Sequence, residues 1–534
     1  MAAIITDQIR ILNAKNFVSG VSSSVNSYYA FVGLPNPTSI SDDWNDSPPS
    51  PTDNLSRHNA YWDTIIGLKK ITGTDVKQVV RKVSWASGNT YDYYRPDYSI
   101  SNVPKNSNGV SLYSANYYVI NSDYRVYICL QNGTTPETPD GKPSLDEPTF
   151  TDLEPTKAGN SGDGYIWKYL FTVAPSDIIK FDATEFVPLP NDWSSSTNAQ
   201  IAAVRDNGNS DVNNNQIKNV YIADQGNGYS GSTGQEFNIV GDGSGGKVVV
   251  DVVNTKISKT QVSVGGKGYT YGMVDLSSIS SAALSGGTPA KLIPVIPPSK
   301  GHGYDLYKEL GADRVLVYAR FDDSTKDFPI DTKFAQIGIM KNPTSIGSTQ
   351  IFTDNQFSSV SSLYLDDFPT TTTINVGDIM TQDIKSGNVV VGQARGYVVS
   401  YDVISEDTPK IAVMKYYQDR SLYFNQTTGD QTDRSDITDL ANSSGTIYNF
   451  QSSATELVKQ EGGSGWSVGI NTNFSGITTN PTGNKIVELG AEFTDGIASS
   501  EINNESGDII YLDNRPLISR DARQKEDIKV ILEF

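Results

Sequence analysis

Cysteine and histidine are almost missing from this chain. In 534 residues there is one cysteine, Cys129, and there are two histidines, His58 and His302. A single thiol excludes an intrachain disulfide, and that shortage points to folding in a reducing place. Cys129 sits in the apolar run Tyr127-Ile128-Cys129-Leu130 with no charged partner close in sequence, so it reads as a small buried hydrophobe. A zinc site would have to take most of its ligands from carboxylates, and neither histidine has a Gly-x-Ser-x-Gly nucleophile partner. Basic residues are also scarce. There are 42 Lys+Arg against 61 Asp+Glu, a net charge of −19, with no basic run. Nucleic acid and anionic membrane surfaces are therefore not expected partners. No stretch reaches the ~18 apolar residues of a membrane span. The segment Met1–Gln8 has neither a basic region nor a long apolar run, so no signal peptide is expected.

What the chain does have is tyrosine (29), glycine (46) and many Ser, Thr and Asn, with 37% hydrophobic residues. That favours strands and turns, and it suits several small β modules better than one large core. The length implies about three or four domains. The strongest local signal is Gly162-Asp163-Gly164 followed by period-2 alternation. Tyr165, Trp167, Tyr169, Phe171 and Val173 share one face. Ile166, Lys168, Leu170 and Thr172 share a partly apolar outer one, and Pro175 ends the strand.

Around this strand the patterns predict a short amphipathic helix in 4–18, a strand at 28–33 and a Pro-rich loop over 35–53. A helix from Asp53 or Ser56 to about Lys70 follows, with His58, Tyr61, Trp62, Ile65, Ile66 and Leu68 as its stripe. Strands are expected at 76–85, 115–120 and 124–130. Residues 196–300 are Gly/Asn/Ser-rich and contain an echo: Ile217–Ser230 and Ile257–Thr270 each run from a strand into Gly-x-Gly-Tyr, 40 residues apart. Asp305–Gly311 reads as a short helix with a glycine stop, and strands follow at 314–320 and 333–340. Residues 346–445 form another β module, 446–500 carry weak strand signals, and 508–518 reads as a strand. At the end, Ile528, Val530, Leu532 and Phe534 alternate as in a half-buried strand.

The expected fold is mainly β: multi-domain antiparallel β-sandwich modules with a few short helices around a discontinuous core. Its segments are 1–195 and 301–345 as core, 196–300 and 346–500 as inserted modules, and 501–534 as closing strands. Motifs that look chemical have plainer readings. Gly241–Gly246 feeds a strand and not a helix N-terminus, so it is a hairpin turn and not a phosphate loop. Asp206–Asp211 resembles a calcium loop, but Ile217 stands where the bidentate Glu belongs. No catalytic, cofactor-binding or metal-binding residue is nominated, and no cofactor is expected.

Four stretches resemble the dimeric β-sandwich baseplate wedge protein family of T-even-type contractile-tailed phages, at its extended, cyanophage-like end. They are Pro48–Asp53 with the Trp62 segment, Gly162–Pro175, Gln336–Pro343, and Ile510–Pro516 with the terminal strand. With their surroundings they cover about half of the chain, in the family's order. Residues 196–300 and 346–500 have no counterpart in short members. The resemblance implies a non-catalytic structural role in the virion, after synthesis in a bacterial cytoplasm. It also implies a homodimer packed against other wedge subunits and fibre-bearing components. It places Arg515 and Pro516, with Val530 and Leu532 of the terminal strand, in one core with Tyr165, Trp167, Tyr169 and Phe171. The Tyr/Asn/Gly-rich inserts leave a second reading, an adhesin-like protein binding host glycans, and a baseplate glycanase is a third.

Overall fold

Alternating and β-branched runs become strands almost wherever they occur. The chain is mainly β, in several antiparallel sheets, with four helices among the described residues. The computed structural model describes residues 6–33, 46–51, 62, 65–207, 216–230, 233–277, 279, 287–321, 333–345, 347–353, 356–357, 360–375, 377–418, 422–424, 431–433, 448–462, 465–479, 487–503, 506–519 and 525–534. Two compact units emerge, each discontinuous in sequence. The first takes 1–18, 76–317 and 530–534, and the second takes 19–75 and 318–529. Residues 19–75, expected in one body with the rest of 1–195, thus belong to the second unit. The reason is strand pairing: Tyr28–Gly33 lies between Lys333–Lys341 and Ile65–Ile71.

In the first unit, Tyr118–Ile120, Arg125–Asn132 and Tyr165–Thr172 form an antiparallel sheet that pairs Cys129 with Trp167. Pro175 ends the last strand by opening the helix Pro175–Phe181, where its missing N–H costs nothing. A second sheet, of which 76–81, 186–188, 314–317 and 530–533 belong to this unit, runs in the order Glu526–Glu533, Arg314–Phe321, Val76–Arg81, Phe186–Pro188. The terminal strand therefore lies beside a strand of 301–345. Ile528 and Val530 are buried, Asp527, Lys529 and Ile531 are exposed, and Leu532 is half-buried, as the alternation predicts. The short helix is Leu306–Leu310. The Asp305 side chain accepts from the Lys308 N–H, and Gly311 stops the helix at φ 71°.

The echo is structural as well. Residues 217–292 enclose their own core, built on Ile217, Tyr229, Phe237, Val248, Val250, Ile257 and Tyr269. Both Gly-x-Gly-Tyr copies use two left-handed glycines, at φ 62° and 83° for Gly226 and Gly228, and 65° and 73° for Gly266 and Gly268. In both, the tyrosine hydroxyl accepts a backbone N–H, from Ala290 to Tyr229 and from Gly246 to Tyr269. A Cβ on Gly226 or Gly266 would meet those same nitrogens at 2.5 Å, so each first glycine is required for the approach. The module is narrower than 196–300. Val204, from the helix Ala199–Asn207, and Val295 pack into the large aromatic core instead.

In the second unit, a five-stranded sheet runs Gln356–Phe357, Ile65–Ile71, Tyr28–Gly33, Lys333–Lys341, Asp508–Ser519. Trp62 is helical, but over its last part the predicted helix fails. Ile65–Ile71 is a strand, buried through its first four residues. Its apolar residues fit a helical stripe equally well, but Ile65, Ile66 and Ile71 are β-branched, Tyr28–Gly33 supplies a ladder along the strand, and Gln356–Phe357 pairs with Lys69 and Leu68 on the other side. Residues 52–61, with His58, lie outside the described residues. Beyond this sheet the chain builds a barrel. Ser361–Asp367, Ser467–Ile470, Val458–Gln460, Ile379–Ser386, Val389–Ser405 and Ile411–Gln418 pair in that order, and the last pairs back with the first. Closure removes the open edges of a flat sheet, and Leu363, Met380, Val398, Met414, Val458 and Trp466 fill its core.

Candidate functional site

The residues singled out from sequence fall in three places, because Val530 and Leu532 lie on the terminal strand in its own sheet and are not among the residues of the aromatic cluster. Tyr165, Trp167, Tyr169 and Phe171 are buried together in the first unit. Tyr165 and Trp167 stack at 5.3 Å between ring centroids, Tyr91 meets Trp167 edge-on at 5.9 Å, and Tyr127 meets Tyr169 edge-on at 5.8 Å. The hydroxyls are tied into backbone. Tyr165 Oη donates to the Lys142 carbonyl at 2.7 Å and accepts the Tyr91 N–H at 2.9 Å. Burial raises the Tyr165 phenol well above its usual range. The outer face departs from expectation, because Leu170 and Lys168 are also buried. Lys168 Nζ donates to the Leu153 carbonyl at 2.6 Å, and burial lowers its pKa to about 8. Both faces of this strand are covered, so it is an interior element.

Arg515 and Pro516 do not join a core, and that expectation is corrected here: both are exposed. Asp508–Ser519 is the edge strand of the five-stranded sheet, and its register slips between Phe334↔Ile518 and Gln336↔Asn514. A proline without an N–H is tolerated at an edge or a bulge, and this position is both. Arg515 Nε pairs with Asp513 Oδ2 at 2.7 Å along its own strand. The inward group is the neighbouring Asn514. Its Oδ1 accepts from Gln336 Nε2 at 3.0 Å, and its Nδ2 donates to the Pro49 carbonyl at 2.8 Å. Gln336 is fully buried. Beneath it, Trp62, Tyr29, Phe31 and Met340 pack as one cluster, with Leu512 against it. Three of the four stretches that carry the resemblance thus meet around Asn514. The resemblance pointed to Asn514, Arg515 and Pro516 together but gave the core to the last two, since nothing in a one-dimensional pattern says which residue of a bulge turns inward.

The reactive side chains are held. The Cys129 thiol donates to the Gln131 carbonyl at 3.2 Å, and burial pushes its pKa up, which suppresses the thiolate. His302 Nδ1 lies 2.6 Å from Glu309 Oε1, and Glu309 Oε2 accepts the Gly303 N–H at 2.6 Å. Both side chains are buried, and the Tyr94 ring meets His302 edge-on at 4.8 Å. Substrate would have to displace that packing to reach the pair. The Gly241–Gly246 segment is the hairpin turn that sequence implies. Residues 208–215 of the calcium-like loop lie outside the described residues. Among the described residues, no group of three or more His, Cys, Asp or Glu is placed to hold a metal ion. No protein-family model matches this chain, and no curated protein matches it.

Proposed function

We propose that this chain is a structural, non-catalytic subunit of the baseplate wedge of a contractile phage tail. In this reading it acts as a homodimer that links neighbouring wedge subunits to peripheral, fibre-bearing components. The observation that supports it most is the meeting around Asn514. Of the stretches near residues 49, 336 and 514, chosen only for their resemblance to one family, the last two are paired strands, Asn514 ties the first to them through the Pro49 carbonyl, and Trp62, Met340 and Leu512 of the three stretches meet in one apolar cluster. The burial of Cys129 and of the His302–Glu309 pair agrees with a protein whose scarce nucleophile and general base serve packing.

The test is direct. Purified tailed particles carrying this chain, labelled with an antibody raised against residues 361–418, should bear the label at the baseplate end of the tail. The isolated protein should scatter light as about twice its 58.0 kDa chain mass. Label at fibre tips only, a monomer at micromolar concentration, or turnover of cell-wall polysaccharide abolished by one Asp or Glu substitution would overturn the proposal.

A further inference from the structure

One groove in the first unit runs against the charge of the chain. A cavity of about 890 Å³ opens between the segment Glu154–Ile166 and two pieces of the 217–292 module, Gln216–Lys218 and Lys259–Gly265. Gln131, Gly162, Gly164 and Lys259 line it and also line a second arm of about 260 Å³ that ends at Tyr93 and Tyr221. Ligand sites commonly have ~300–1,000 Å³ and favour seams between modules. The floor of this one is bare backbone. Gly164 lies at φ 88° and Gly133 at φ 71°, and a Cβ on Gly164 would meet the Gly133 Cα at 2.6 Å. The two turns touch at these glycines, which place backbone and no side chain at that point of the floor.

Four lysines line the two arms, Lys142, Lys157, Lys218 and Lys259, against two carboxylates, Glu154 and Asp163. The lining therefore carries +2 on a chain that carries −19. Both carboxylates are already engaged. Glu154 pairs with Lys218 at 2.8 Å, and buried Asp163 accepts the backbone N–H groups of Leu145 and Tyr165 at 2.9 and 3.0 Å. Lys142, Lys157 and Lys259 have no ion-pair partner among the described residues. Period-2 alternation along the strand Lys256–Lys267 turns Lys259, Gln261 and Ser263 to one side, all three exposed and all lining the groove. The side-chain amides of Gln261 and Asn160 make no hydrogen bond within the described structure, and both are exposed. Unpaired ammonium groups beside free amides suit a ligand rich in hydroxyls that carries some negative charge, and Ile166, Val262 and Val264 offer apolar surface to its ring faces. A bulk polyanion such as nucleic acid would be repelled by the rest of the surface.

We propose that this groove binds an acidic oligosaccharide, with Lys157 and Lys259 meeting its carboxylates or sulfates and Gln261 and Asn160 its hydroxyls. The probes are a short oligogalacturonate, a neutral maltooligosaccharide of equal length and a short polyglutamate, each titrated calorimetrically into the full chain. The uronate should bind, and weaken with added salt as exposed charge contacts do. The double variant Lys157→Gln/Lys259→Gln should weaken it about tenfold, two exposed charge contacts at once. Gln261→Ala should weaken the uronate and leave any polyglutamate binding unchanged. Lys410→Gln, on the barrel, should change nothing. Lys157, Lys259 and Gln261 are exposed, so circular dichroism should be unchanged in their variants. Absence of heat with the uronate, or affinity unchanged in the double variant, would overturn the proposal. Polyglutamate binding as tightly as the uronate would also overturn it and assign the groove to an acidic peptide.

Discussion

Lys168 sits mid-strand on the face opposite the aromatic side chains, buried, with one carbonyl acceptor for its ammonium. Its pKa, lowered to about 8 from 10.5, means that the unfolded chain holds this proton more tightly than the folded one. Unfolded molecules bind more protons between those two values, so stability rises as pH increases from about 8 towards 10. The buried tyrosines oppose this further up. Tyr94, Tyr117 and Tyr165 are raised above 10 by burial, so the stability they contribute is complete below pH 10 and declines as pH rises beyond it. Urea denaturation should therefore show a stability maximum between about pH 9 and 10. Lys168→Met keeps the stem and deletes the charge. At pH 7 it should stabilise the first unit by about 1–3 kcal/mol, the shift less the lost hydrogen bond, and it should flatten the rise above pH 8. An unchanged pH slope in the variant would show that this ammonium is not the group responsible.

At the scale of elements, the terminal strand separates two kinds of position one residue apart. Val530 is buried and Ile531 is 40% exposed. Val530→Asp should cost about 2–4 kcal/mol, through lost burial and an uncompensated buried carboxylate, whereas Ile531→Asp should stay within about 0.5 kcal/mol. Equal melting temperatures for the two variants would show that the strand is peripheral. The echoed turns allow a matched comparison. Tyr269 Oη accepts the Gly246 N–H and donates to the Ile239 carbonyl, each at 2.9 Å. Tyr269→Phe leaves two buried backbone groups unpaired and should cost about 2–4 kcal/mol within the 217–292 module. Hydrogen exchange at Gly246 and Val248 should accelerate while Trp167 fluorescence stays constant. Coupled loss of both signals would mean that the module shares one cooperative transition with the aromatic core.

For the whole molecule, the question is how the module is attached. Asn219–Asp224 and Lys291–Val295 pair antiparallel, with Asn219 opposite Val295, so the chain enters and leaves through a two-stranded stem. Entry and exit are adjacent, and closing them costs little chain entropy. Replacing residues 223–291 by Asn-Gly should give a soluble protein whose aromatic core melts within about 5 °C of the parent. Cutting at 196 and 300 would also remove Val204 and Val295 from that core. That version should melt well below the first one. If both deletions behave alike, the core does not depend on those two side chains.

The sequence by itself determined whatever depends on neighbours along the chain. Alternation specified the Tyr165–Thr172 and Glu526–Glu533 strands, Asp305 and Gly311 delimited a helix, and repeated Gly-x-Gly-Tyr marked a pair of equivalent turns. In each, a period of two or a required backbone angle is a property of a few consecutive residues. Tertiary structure decided what depends on partners far away. Ile65–Ile71 is a strand because Tyr28–Gly33 offers it a ladder, and Lys168 is buried because Leu153 supplies its acceptor. Arg515 and Pro516 face out because a bulge turns Asn514 towards Gln336 and Pro49. The lysines of the groove lie at positions 142, 157, 218 and 259, and only the packing of the 217–292 module against the aromatic core gathers them. A linear pattern records what one residue does to the next few, while burial, register and field sum over residues that the fold alone makes neighbours.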